Sequence, residues 1–238
     1  MNYIILNGVK STIVQGLLIQ ELPPISKPQI RSNIETIDGR DGDIITRLGY
    51  SAYDKILTIG LKKDADINDV ISYFVNRDTG RVTFSNEPNF YYRFDLLEAI
   101  DFERLIRFKQ ANVIFHVQPF KFSCSEGNTE LILQNGSANI INSGNIYSKP
   151  VLTIRAKGAV TVSLNDSQVF SIAFNSDTAE TIIIDTSAME AYSSSTGALK
   201  NRVVTGNYDK FYLPVGLSKI SFGGNVITSS ISNYSRWV

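Results

Sequence analysis

Chemistry in this chain would have to begin with its one histidine, His116, and its one cysteine, Cys124. Hydrolysis by a Ser-His pair needs a histidine that accepts the nucleophile's proton. His116 lies in a strand-like run between Phe115 and Val117, facing opposite to both, and no Gly-x-Ser-x-Gly elbow accompanies it. An ordinary strand histidine is expected. A thiol becomes reactive beside a cation or another activating group, and the Ser-Glu-Gly surroundings of Cys124 supply none. We expect a half-buried small residue near a linker. One His and one Cys cannot make a structural zinc site.

The remaining candidates are carboxylates and aromatics. Asp38-Gly-Arg-Asp-Gly-Asp43 clusters oxygen ligands between glycines. A calcium loop, however, wants ligands at alternate positions followed by a glutamate. Arg40 occupies one of those positions, and Asp43 runs directly into Ile44-Ile45. A tight, charged, protruding loop suited to subunit contact is expected, with Asp38, Arg40, Asp41 and Asp43 at the contact. No Walker or Gly-x-Gly-x-x-Gly phosphate loop is present. Two carboxylates for glycoside hydrolysis could meet only through the fold, and residues 123–238 hold just eight acidic residues, mostly in turn-like settings. Tyr192, Tyr208, Tyr212, Tyr234 and Trp237 could stack on a sugar, although such residues more often fill sandwich cores and edges. Tyr192, Tyr208 and Trp237 are the candidates for a sugar or partner contact.

The elements that would position these residues fall into two blocks. Residues 1–122 carry 15 Lys/Arg and 15 Asp/Glu, whereas 123–238 carry 8 of each. Ser, Thr and Asn rise from 20 to 39 across the same boundary, at Gln118-Pro-Phe-Lys-Phe122. The shift predicts two domains, 1–122 and 131–238, joined by a linker at 123–130. Each block is neutral and no basic run exceeds Lys62-Lys63, unlike a duplex-DNA binder. No run reaches the roughly 18 apolar residues of a membrane helix, and Met1–Gly8 does not read as a signal peptide. A soluble, non-exported protein that folds without disulfides in a reducing compartment is expected.

The first block reads as strands with one helix. Tyr3–Leu6 ends in the hairpin turn Asn7-Gly8, and Leu17–Leu22 stops at Pro23-Pro24. Ile30, Ile34 and Ile37 sit in an extended stretch. Lys55–Leu61 and Arg81–Ser85 are further strands, and Tyr91–Leu97 with Arg104–Val117 reads as a long antiparallel pair. Ile67, Val70, Ile71, Phe74 and Val75 follow the spacing of one buried helical face. Asp66 is the expected N-cap and Gly80 the stop. The second block reads as short strands at Leu131–Leu133, Asn139–Ile141, Val151–Ile154, Val160–Leu164, Val169–Phe174, Thr181–Asp185, Lys210–Leu213 and Lys219–Phe222. Turns fall at Asn135-Gly136, Asn142-Ser-Gly144 and Asn165–Gln168. A jelly-roll or lectin-like sandwich is expected.

This layout resembles the distal tail (Dit) proteins of long-tailed phages infecting Gram-positive bacteria, over nearly the whole chain. The resemblance is carried by the opening Tyr3-Ile-Ile-Leu-Asn-Gly8, the loop 38–43 followed by Gly49-Tyr50, and a strand of the Lys55–Leu61 type. The single helix and the closing Pro119-Phe-Lys-Phe122 complete the first domain. In the second block it is carried by Asn142-Ser-Gly144, Lys149-Pro150, Gly158, Phe211-Tyr-Leu-Pro-x-Gly216 and Ile220-Ser-Phe-x-Gly-Asn225. The resemblance implies a mainly β chain with one helix, a split-barrel-like ring domain followed by a galectin-like sandwich. It implies no catalysis, cofactor or metal. Six first domains would form a ring at the tail tip, joined to the tail tube protein and to a baseplate hub protein or tail-associated lysin. The channel would pass DNA and the tape-measure protein, and outward second domains would hold receptor-binding proteins. Such a protein would be assembled in the host cytoplasm and end in the virion. The competing expectation is a carbohydrate-binding module recognising host cell-wall saccharides.

Overall fold

The computed structural model describes residues 1–125, 136–232 and 235–238, and the backbone of 130–133. The chain divides into two compact units, Met1–Cys124 with Val238, and Ser125–Trp237.

In the first unit, β1 (Ile4–Leu6) turns through Asn7 (φ 49°) and Gly8 (φ 85°) into β2 (Val9–Lys10). Two consecutive positive φ values make the tight hairpin turn expected of Asn-Gly. There follow β3 (Leu17–Glu21), β4 (Ile30–Thr36), β5 (Asp43–Tyr50), β6 (Tyr53–Leu61), α1 (Ile67–Val75), β7 (Thr79–Phe84), β8 (Phe90–Asp95), α2 (Phe102–Phe108) and β9 (Gln110–Ser123). An antiparallel sheet runs β2-β1-β7-β8-β9-β6-β3, while β4 and β5 pair only with each other. Along β6, Leu57 and Ile59 face the core opposite Val113 and Ala111. The other face carries Asp54, Ile56 and Thr58 opposite His116, Ile114 and Asn112.

The core joins this sheet to both helices. Phe115 is fully buried, with ring centroids 5.6 Å from Phe84 and 5.1 Å from Phe94. Truncating it leaves a large cavity that rigid neighbours cannot close. Phe115→Ala should therefore destabilise this unit by about 3–5 kcal/mol, read as an earlier urea transition; a shift under about 1 kcal/mol would contradict the packing described here.

Several sequence expectations need correcting. Arg104–Phe108 is helix rather than strand: Asp101 accepts a hydrogen bond from the Arg104 amide at 2.8 Å, Leu105 is buried, and Lys109 closes the turn at φ 58°. The buried face of α1 is Val70, Tyr73 and Phe74, with Val75 exposed. Asp66 caps α1 as expected, accepting from the Asn68 amide. Gly80 does not end that helix; it lies in β7 at φ 127°, where a Cβ would collide with the Asn7 side chain. Nor does Pro119 end a strand. β9 runs on to Ser123, with its register against β8 shifting between Tyr92 and Phe94. Proline, lacking an N–H, is tolerated at such an irregularity.

The sheet of the second unit is built from β10 (Glu130–Leu133), β11 (Gly136–Asn142), β12 (Val151–Leu164), β13 (Ser167–Ala173), β14 (Glu180–Asp185), β15 (Glu190–Ser193), β16 (Val204–Gly206) and β17 (Gly216–Ser232). β12 merges two expected strands. Its first half pairs with β14 and its second with β13, while β17 runs beside both halves. Irregularities at Arg155/Ala156 and Lys157/Val160 separate the halves. Gly158 (φ 67°) and Gly224 (φ 95°) supply backbone conformations that side chains disfavour. Leu152, Ile154, Val160, Val162, Phe170, Ile184 and Ile231 thereby line one sandwich core. The turn between β12 and β13 is Asn165-Asp166, both at positive φ. Asn142 is buried, donates to the Ile146 and Leu213 carbonyls at 3.0 Å and accepts from the Gly144 amide. The Asn-Ser-Gly entry is thus a hydrogen-bonded corner. Lys210–Leu213 is not a strand: a 3-10 turn at Tyr208–Lys210 delivers Phe211 and Leu213 to the core. Asn135 of the expected Asn135-Gly136 turn lies outside the described residues.

Candidate assembly surface

The expected contact loop sits at the end of a two-stranded arm. β4 and β5 pair from Ile30↔Tyr50 to Thr36↔Asp43. The tip turns at 37–42, where the Arg40 amide donates to the Ile37 carbonyl and Gly39 and Gly42 take φ 81° and 77°. Asp38, Arg40, Asp41 and Asp43 are all exposed at this end. Asp43 accepts from the Thr36 hydroxyl at 2.9 Å. Ile34 and Ile45 are cross-strand partners, yet they are 58% and 62% exposed, and Leu48 is 60% exposed. A two-stranded hairpin presenting such a row to water is marginal by itself. Ile30, Ile34 and Ile37 are expected in an extended stretch, but nothing in the sequence tells that the apolar side chains face outward.

The base of the arm, by contrast, is firmly held. Ser51 N donates to the Gln29 carbonyl at 2.9 Å, and the Tyr50 ring meets Phe120 edge-on at 5.4 Å. The lead-in Leu22–Gln29 is tied by Asn86 Nδ2 to the Pro23 carbonyl and by Lys55 Nζ to the Pro24 carbonyl, each at 2.9 Å. Lys55 occupies a core-facing position of β6 and is 2% exposed. Its ammonium lies 4.8 Å from the Tyr92 ring centroid. Burial pushes its pKa down, while the Glu87 carboxylate opposes that shift. Glu87, also buried, bonds Lys121 Nζ at 2.7 Å and accepts from the Tyr92 hydroxyl at 2.6 Å. Burial alone would raise the Glu87 carboxyl, but the Lys121 and Tyr92 hydrogen bonds bring it below its ordinary value. Sequence reading missed this cluster because a lysine in a strand of alternating character is normally assigned to the solvent face.

The other candidates are dispersed. His116 Nδ1 lies 2.8 Å from Asp54 Oδ1 on the outer face of the sheet, as expected for an ordinary strand histidine. Cys124 is exposed rather than half-buried, since it follows the end of β9. Tyr208 packs edge-on against Phe170 at 5.1 Å, alongside the core. Tyr192 lies on β15 and Trp237 is half-buried near the chain end. Tyr212 is exposed and pairs with Tyr147 at 5.7 Å. Tyr234 lies outside the described residues. Among the described residues, no three His, Cys, Asp or Glu side chains lie close enough to hold a metal ion. Among the same residues, no helix is long and apolar enough to cross a membrane.

The antiparallel sheet of the first unit followed by a β-sandwich is a fold shared with phage Dit and baseplate chains, and it bears out the expected mainly β architecture. The Dit protein of phage SPP1, presented as a paradigm of the hub adsorption apparatus in phages infecting Gram-positive bacteria, aligns over 100% of both chains with TM-score 0.64 and 16% identity. Chains from the phage P2 baseplate in its activated conformation, with Ca and with Sr, align over 98% of this chain and 97% of theirs. Their TM-scores are 0.54 and their identities 12% and 11%. No family model and no curated protein matches the chain.

Proposed function

We propose that this chain is a structural hub subunit of a phage tail tip, six copies of which close into a ring through the first unit. The observation that carries the proposal is the exposed apolar arm on a fold shared end to end with a phage hub protein. A fixed arm that meets a different patch on the next copy makes a head-to-tail contact, and such contacts form a ring when the rotation between copies closes. Asp38, Arg40, Asp41 and Asp43, all exposed at the arm tip, would set register across that contact. The ring would join the tail tube to the baseplate hub and leave a channel for DNA and the tape-measure protein. The second unit, poor in charge and rich in Ser, Thr and Asn, would dock further baseplate or receptor-binding proteins. The site of action would be the virion tail tip.

Assembly is thereby assigned to residues 1–122. A chain ending near Phe122 should still form rings, and residues 131–238 expressed alone should run as a β-rich monomer with a cooperative melt. A monomeric 1–122 beside an assembling full chain would refute that division. One observation favours a second reading, saccharide binding. Tyr212 borders a surface cleft of about 330 Å³ together with Asn165, Gln168 and Lys210, a mixture of aromatic face and hydrogen-bonding groups. Micromolar affinity for a cell-wall saccharide would support this reading over a pure scaffold.

A further inference from the structure

A cleft of about 480 Å³ opens beside α2, lined by Asp101, Glu103, Arg104, Arg107 and Phe108. Phe108 is 73% exposed at its edge, and the same segment leaves Leu97 and Ile106 exposed as well. Its carboxylates already have partners within α2: Asp101 caps the Arg104 amide, and Glu103 pairs with Arg107. What remains on offer is the Arg104 guanidinium, the outer edge of Arg107, and an aromatic face. The arm tip presents the opposite set. Residues 37–43 carry Asp38, Asp41 and Asp43 against Arg40 alone, next to the exposed Ile37.

We propose that the cleft beside α2 seats the arm tip of a second copy of this chain, with Asp38 and Asp41 against Arg104 and Arg107 and Ile37 against Phe108. The inference rests on the ring reading above and names the surface that receives the arm. Three features support it. Arm and cleft are different patches of one chain, so their union is heterologous and can propagate around a ring. The seven residues of β4, at about 3.3 Å each, give the arm a reach of roughly 23 Å. The charges are opposite in sign, and such complementary charges fix register by making the wrong juxtapositions repulsive.

A charge exchange in the full-length protein tests the proposal, with assembly followed by light scattering across a dilution series. Arg104→Glu with Arg107→Glu should weaken assembly by about tenfold or more, as should Asp38→Arg with Asp41→Arg. All four substitutions together should recover most of the loss. All the sites are exposed, and the Glu103–Arg107 pair given up by Arg107→Glu is a surface pair of small worth, so melting curves should stay close to wild type, which separates lost contact from lost fold. Undiminished assembly of Arg104→Glu/Arg107→Glu, or a quadruple variant no better than either pair, overturns the cleft as the seat. If arm deletion disperses the wild-type ring while the arginine pair does not, the ring reading stands and only the cleft falls. A wild type that never assembles refutes the ring reading itself.

Discussion

Excising most of the arm should convert the assembly to monomers. Residues 33–46 can be replaced by Asn-Gly, because Ser32 and Arg47 are register partners and Asn-Gly forms the turn that joins adjacent antiparallel strands. The excision removes the exposed Ile34–Ile45 pair and the charged tip, yet leaves the anchors at Gln29–Ser51 and Tyr50–Phe120 in place. The core strands do not pair with the arm, so the melting transition of the first unit should hardly move. A loss of assembly without a loss of stability is the expected signature. Rings that persist after the excision would show that the first units meet through another surface.

The second large effect is expected at Glu87. Replacement by alanine strips the Lys121 ammonium and the Tyr92 hydroxyl of their shared acceptor and leaves the buried Lys55 without its nearest compensating charge. Removing one partner of a buried ion pair typically costs about 3–5 kcal/mol, mainly because a charge is left unpaired. The first unit should lose stability of that order in Glu87→Ala, with a smaller loss in Glu87→Gln, which keeps a hydrogen-bonding group. The pH dependence follows from the sign of the shift. The folded-state carboxyl of Glu87 lies below its ordinary value, so its contribution is complete above the unfolded carboxyl's pKa and disappears as pH falls through the folded one. Wild type should therefore lose more stability than Glu87→Ala on acidification through the carboxylate range. Parallel acid titrations of the two would contradict this assignment. Because Lys55 holds the Pro24 carbonyl, Glu87→Ala should also loosen the arm's base and weaken assembly at temperatures where the unit remains folded.

Local chemistry made much of the fold legible. Asn7-Gly8 and Asn165-Asp166 take the positive φ values that tight hairpins demand, and Asp66 caps the helix whose spacing marked it. Tertiary context decided the rest. Ile106 and Phe108 alternate like strand residues, but the Asp101 cap and the buried Leu105 stabilise a short helix there, leaving both large side chains exposed. Phe211 and Leu213 also alternate, and they reach the core from a 3-10 turn. The loop 38–43 was readable as a protrusion from its glycines and charges. The apolar strands that carry it were not readable as exposed, because alternation reports a face without reporting what covers it. Lys55 was hidden for the complementary reason: its partners Pro24, Glu87 and Tyr92 are distant in sequence and meet it only in the folded sheet.

The most direct test of the hub assignment is the mass of the full-length protein in solution, by light scattering coupled to size exclusion, with negative-stain images of the same peak. Six copies of the 26.4 kDa chain, or a stacked pair of such rings, with a central opening in projection, is the predicted result. A single 26.4 kDa species at every concentration tested, with no annular particles, would contradict it.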